Sequence, residues 1–285
     1  MARSQTKTLL LASLLAASLT ADNAAEPGQE IAPGVRLLAR ISDPRIKESS
    51  GVVASRRYSV YWTHNDGGGP KKQVLYAIDR KGNTSASFPV ISVTLHDWED
   101  IGIDNAGHLF IGDIGNNNAK RKTLAVYEID EPNPQASAGS VSPKHAWKLK
   151  FPQAPFDCES LFVWKDHGYV VSKVFDKAHA QIFRFPLKET NQPLTLEPVA
   201  TTKIKSPVTG ADISGDGRLL GLVAKNGAYV FRIDGDVTRL SNANAHHTKL
   251  ENQHIEGCCF VPEGLLATSE RRMIFLFTDP AFRRQ

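Results

Sequence analysis

The chain has 285 residues, 41% of them hydrophobic and 22% charged, with 37 Gly and Pro together. This composition excludes a disordered or fibrous chain and supplies enough apolar surface for one large domain. The net charge of +4 is too small and too scattered for a nucleic-acid footprint, so no nucleic-acid partner is expected.

Residues 1–8 carry Arg3 and Lys7 and no acid. An apolar run follows from Leu9 to Leu19, then small residues from Thr20 to Ala25. Basic start, short apolar middle and small-residue exit are the parts of a secretory signal peptide. The run is too short to span a bilayer. Residues 1–25 are therefore expected to be removed, leaving residues 26–285 as one domain, secreted or periplasmic, with no membrane span. The three cysteines, Cys158, Cys258 and Cys259, cannot all pair and read as free, buried thiols.

Beyond residue 30 the pattern consists of short β-rich runs broken by turns. The runs fall into five units, each opening with an acid and an apolar stretch: ESSGVVA at Glu48, EDIGIDN at Glu99, ESLFVWK at Glu159, DISGDGR at Asp212 and EGCCFVP at Glu256. A second strand (VYWTHND, LFIGDIG, YVVSKVF, LLGLVAK, LLATSER) and a third (LYAIDRKG, VYEIDEPN, IFRFPLKE, YVFRIDGD, IFLFTDPA) follow each opening. Candidates for the fourth are SFPVISVTL, HAWKLKF and VATTKI. A four-stranded repeat of about fifty residues predicts an all-β, single β-propeller. Five blades are expected; a sixth would have to come from 132–158, and two packed sandwiches are the rival fold. The last unit lacks a fourth strand, and VRLLARI at 35–41 is a spare one, so the N-terminal strand is expected to close the last blade.

In such a blade the start of the innermost strand and the end of the second lie on one face. That gathers Glu48, Glu99, Glu159, Asp212 and Glu256 around the mouth of a central funnel. Asp66, Asp113, Asn116, Lys173, Lys225 and Glu270 join them from the second-strand ends. Asp97 and Asp157, two residues before Glu99 and Glu159, are expected to face the same way. Crowded carboxylates repel, and a narrow channel screens poorly. Lys173 and Lys225 offset two charges. The remainder calls for calcium, the hard cation that oxygen-only ligands favour, or for a proton-sharing acid cluster. In the metal version Glu48, Glu159 and Glu256 hold calcium and Glu99 or Asp113 is the catalytic base. Asp66, Asn116, Lys173, Lys225, Asp212 and Glu270 would contact the ligand. Trp98 is a candidate stacking wall, and His246 and His247 read as surface residues of a polar loop.

The motifs ESSGVVASR (48–56), WTHNDGGG (62–69), DWEDIGID (97–104), GDIGNNNAKRK (112–122), VYEIDEP (126–132) and VTGADIS (208–214) resemble a family of secreted bacterial propeller proteins, mostly uncharacterised. HIEGCCF at 254–260 departs from that family's usual Q-G-E-A, though Glu256 is kept. More distantly, the acidic funnel is similar to calcium-dependent lactonase and esterase propellers of the gluconolactonase, paraoxonase and strictosidine-synthase type. The resemblance implies an exported propeller with no established reaction; the acidic funnel itself points to a small polar molecule or carbohydrate as partner. Two functions stay open: a calcium-dependent hydrolase of an ester, lactone or glycosidic bond, and a non-catalytic ligand- or protein-binding module. A monomer is expected in either case.

Overall fold

The computed structural model describes residues 26–282 apart from 137, 176 and 177; the expected leader lies outside the described residues. Five sheets, antiparallel but for one short parallel strand at the outer edge of blade 2, form five blades. Blade 1 is Ser49–Ala54, Tyr61–Asn65, Val74–Ile78 and Thr84–Pro89. Blade 2 is Trp98–Ile103, His108–Asp113, Thr123–Asp130 and His145–Lys150. Blade 3 is Cys158–Trp164, His167–Ser172, Gln181–Pro186 and Glu197–Thr201, and blade 4 is Val208–Ile213, Leu219–Ala224, Gly227–Arg232 and His246–Lys249. Blade 5 combines Ile255–Val261, Gly264–Ser269 and Met273–Phe277 with Val35–Arg40 and Glu30–Ala32 from the other end of the chain.

The N-terminal strand thus closes the ring as expected, pairing Val35 with Phe277 and Arg40 with Met273. No sixth blade forms: 132–158 supplies the fourth strand of blade 2, and Val141 makes a single bridge to Val90. The fourth strand of blade 4 contains His246 and His247, which the sequence pattern places in a loop. His247 lies flat on Tyr229, with ring centroids 4.0 Å apart, and His246 Nε2 is 2.9 Å from Asp279 Oδ2. No helix among the described residues is long and apolar enough to cross a membrane.

The innermost strands lie side by side in a ring, the last against the first. The core is divided among the five junctions between blades. Val53, Trp62 and Leu75 of blade 1 meet Trp98 and Ile111 of blade 2, for example, and Phe162 and Val171 of blade 3 meet Leu220 and Phe231 of blade 4. This explains why inner strands lack alternation. In LLGLVA at 219–224, Leu220 and Leu222 face the junction with blade 3, while Leu219 and Val223 face that with blade 5. With both faces covered, every residue is selected to be apolar. Cys158, Cys258 and Cys259 are buried and form no disulfide with one another.

Backbone-to-backbone packing at the axis leaves amides that side chains must serve. Asp100 is 1% exposed; its carboxylate accepts from Ile101 N at 2.9 Å and, across the blade boundary, from Leu161 N at 2.8 Å. Asp212 does the same between blades 4 and 5, accepting from Phe260 N at 2.7 Å. Burial pushes the Asp100 carboxyl well above its usual range. Asp100→Ala strands two buried N–H groups at about 1–3 kcal/mol each. The expected loss is ~3 kcal/mol or more, measured by urea unfolding. A midpoint equal to that of the wild type would remove Asp100 from the account of how the blades are joined.

Candidate active site

The funnel positions are set by a repeated slip in the ladder between the first and second strands. Trp98 pairs with Asp113 and Asp100 with Gly112, so Glu99 is an extra residue with no partner. Glu159, Thr209 and Glu256 are extra in the same way in blades 3, 4 and 5. In blade 1 the irregularity falls between Ser49 and Val52, at Ser50 and Gly51. Such bulges re-aim a side chain out of the sheet. The ring is therefore Ser50, Glu99, Glu159, Thr209 and Glu256, three acids and two hydroxyls.

Two expected members are corrected by this register. Glu48 lies ahead of its strand, half exposed, 3.9 Å from Lys72 Nζ, although it still reaches the funnel rim. Asp212 is three residues past the ring position and serves as the amide acceptor described above. The hydroxyls at the true positions knit neighbouring blades: Ser50 Oγ donates to Glu99 O at 2.6 Å, and Thr209 Oγ1 to Ile255 O at 2.7 Å.

The funnel encloses about 210 Å³. Glu48, Asp66, Glu99, Glu159, Glu256 and Glu270 line it, with Ser49, Ser50, Asn117 and, among the described residues, a single cation, Lys173. Lys173 Nζ donates to Glu159 Oε1 in a close ion pair. Lys225 is exposed and contributes nothing to the lining, so one of the two expected counter-charges is missing. Asp113 and Asn116 are likewise diverted to structure. Asp113 Oδ1 accepts from Asp97 N at 2.8 Å and is 3.0 Å from Arg121 Nη1. Asn116 Nδ2 donates to Phe156 O at 3.1 Å, and its N donates to Asp157 Oδ1 at 2.8 Å. Trp98 is fully buried and stacks on His64 at 3.9 Å, so it forms no wall. The exposed aromatic near the funnel is instead Phe175, whose ring centroid is 5.9 Å from Lys173 Nζ.

Carboxylate oxygens of Asp66 and Glu99, which line the funnel, and of Asp97 behind them lie within 4.8 Å of one another. The expected common facing of Asp97 and Glu99 is present: a Cβ on Gly115 would collide with Asp97 Oδ2 and Glu99 Oε1 at once. Glycine at 115 leaves both oxygens their space. Asp66 Oδ1 is buried with no hydrogen-bond partner. Glu99 is 4% exposed, and no donor among the described residues reaches its carboxylate.

The electrostatics follow from this crowding. Burial, then Glu159, Asp66 and Asp97, hold the Glu99 carboxyl well above the usual range. Burial and Asp97 raise Asp66, and burial raises Asp97 against the pull of Arg121. Burial lifts Glu159 to about 7 although Lys173 opposes it. Burial, Glu159 and a hydrogen bond with Glu270 lift Glu256 to about 9. Burial disfavours the Lys173 ammonium, yet Glu159 leaves its pKa raised overall. At neutral pH the site thus combines a protonated acid, an acid near its midpoint and three converging carboxylates.

No family model and no curated protein matches the chain. Among solved structures it is similar to a nidogen–laminin complex, with a TM-score of 0.45 and 11% identity over 78% of this chain and 72% of the other. It is also similar to a catalytically inactive virginiamycin B lyase from Staphylococcus aureus, solved with quinupristin. There the TM-score is 0.44 and the identity 11%, over 80% of this chain and 64% of the other.

Proposed function

We propose that this propeller is an exported hydrolase in which Asp66, Asp97 and Glu99 hold a calcium-like cation and the neighbouring acids handle protons. What supports the reading is the convergence of those three carboxylates beside Gly115, with Asp66 Oδ1 buried and unpartnered. The donors are all oxygen, which suits a hard divalent cation. Glu159 and Glu256, assigned to the metal from sequence, are better matched to other work, since one is bound to Lys173 and the other hydrogen-bonded to Glu270. The bound cation would supply charge to polarise a substrate oxygen.

Glu159, near its midpoint at neutral pH, takes a proton from the attacking water, and Lys173 steadies the carboxylate. Glu256, protonated at that pH, gives a proton to the leaving oxygen. Asn117, exposed at the funnel, offers its amide to a polar substrate, and Ser50 Oγ, whose proton goes to Glu99 O, can only accept. A space of about 210 Å³ admits a small molecule or the end of a sugar chain. The substrate class is therefore a small ester, lactone or glycoside.

The test uses the mature chain recovered from the periplasm or medium, assayed against nitrophenyl esters, small lactones and nitrophenyl glycosides. Chelator-sensitive turnover of one class is expected. Glu256→Gln should lower kcat by about 10²–10⁴ while KM changes little. No turnover of any class, with calcium present, would favour the binding-module reading.

A further inference from the structure

Beside the funnel, on blade 2, lies a larger groove of about 600 Å³, the usual size of a ligand cleft. It adjoins a hollow of about 530 Å³, with which it shares Ala146, Trp147, Thr190 and Asn191. Its floor is one face of the outer strands of blade 2, where Ala125 pairs with Lys148 and Tyr127 with Ala146. One wall is the loop 113–123. The other is a strap from blade 3, whose Leu194–Thr195 pairs in parallel with Leu149–Lys150 and adds a fifth strand to blade 2. Trp147 Nε1 pins that strap by donating to Lys188 O at 2.9 Å.

The lining is basic. Arg121 faces the groove but is tied to Asp113, the acid of the lining, and to Gly115 O. Lys122 and Lys148 have no acidic partner among the described residues. The strap presents Thr190, Asn191 and Gln192 opposite them. The Lys122 loop is a built feature. Ala119 is held at φ 51°, and Asn116 Oδ1 accepts from Arg121 N at 2.9 Å.

We propose that this groove binds an acidic saccharide. Lys122 and Lys148 meet its carboxylates, Asn191 and Gln192 its hydroxyls, and Tyr127 with Ala125 and Ala146 gives a ring a flat floor. Two unpaired ammonium groups call for anionic charge. Amide side chains opposite an apolar floor call for a ligand that is polar at its edges and flat on one face. This inference is independent of the reading of the funnel.

Calorimetric titration of the mature chain with trigalacturonate, in about 50 mM salt where charge pairing is only partly screened, is the test. Saturable binding is expected. It should weaken about tenfold or more in a Lys122→Ala/Lys148→Ala variant and in an Asn191→Ala/Gln192→Ala variant, because charged and polar contacts to the ligand are lost. Maltotriose, neutral but of similar size, should bind correspondingly worse. Glu99→Gln, which alters the funnel, should leave trigalacturonate binding unchanged. Absence of saturable binding, or equal binding by the lysine variant, overturns the proposal. Inorganic phosphate displacing trigalacturonate at equal concentration, with the amide variant unaffected, would overturn the saccharide in favour of a simple anion patch.

Discussion

Deleting residues 26–42 should abolish the soluble, folded protein or lower its stability by about 5 kcal/mol or more. The segment supplies two strands of blade 5 and buries Val35, Leu37, Ala39 and Ile41, each at most 5% exposed. Full burial of such side chains contributes about 1.5–3 kcal/mol apiece for the larger ones. Their loss also uncovers Phe275 and Phe277 and leaves Met273–Phe277 as an unpaired edge, a template for aggregation. Against a typical total stability of about 5–15 kcal/mol, that is enough to unfold many domains. Size-exclusion chromatography and thermal unfolding check it. A monodisperse truncated protein melting like the full chain would mean that the ring is held closed without its N-terminal strand.

Closure is legible in the sequence because it rests on a count: the last unit is one strand short and VRLLARI is one strand over. The blades are legible because three strands recur in one order with turn residues between them. The fourth strands are harder, since an outer strand covers only one face and needs little apolar content. HHTK at 246–249 is such a strand and reads as a loop. The funnel face is also readable, since topology alone puts strand starts and second-strand ends together, and Asp66, Glu99, Glu159, Glu256 and Glu270 do meet there.

The frame of the ring is not readable from acids. In blades 1, 4 and 5 its marker is a glycine one position beyond the ring residue, where the chain packs against a neighbouring backbone; in blades 2 and 3 that position holds Asp100 and Ser160. A Cβ on Gly51 would come within 2.6 Å of Ile101 N, and one on Gly210 within 2.6 Å of Glu256 O. Aligning the units on Gly51, Gly210 and Gly257 places Ser50, Thr209 and Glu256 together and excludes Glu48 and Asp212. The diversion of Asp113 and Asn116 into loop contacts leaves no trace in spacing, since a carboxylate that accepts from backbone amides and one that meets a ligand look alike in sequence. Asp97 does carry a signal, its two-residue offset from Glu99.

The second large effect concerns charge in the funnel. In metal-free protein Glu159 and Glu256 are raised in the folded state, to about 7 and about 9, from 4.5. The folded state then holds protons that the unfolded chain releases. Their contribution to stability is fully present below about pH 4.5 and is lost as pH rises, through about 7 for Glu159 and about 9 for Glu256. Each group gives a slope of up to about 1.4 kcal/mol per pH unit within its window. Metal-free protein should therefore melt at progressively lower temperature from pH 5 to pH 9. A cation on Asp66, Asp97 and Glu99 offsets the repulsion and should flatten that decline.

The most direct measurement of the central claim is a set of melts at pH 7.5 in calcium and in chelator, for wild type and Glu99→Gln, with metal content determined on both. A cation that binds only the folded state at a hundred times its Kd stabilises by about 2.7 kcal/mol. For a chain of this size that raises Tm by about 5–10 °C. The account predicts this rise in the wild type and its loss in Glu99→Gln. It also predicts that the variant in chelator melts above the wild type in chelator, because the cost of burying an ionisable carboxyl among other acids is gone. A wild-type Tm that is the same in calcium and in chelator, together with metal-free protein, would contradict it.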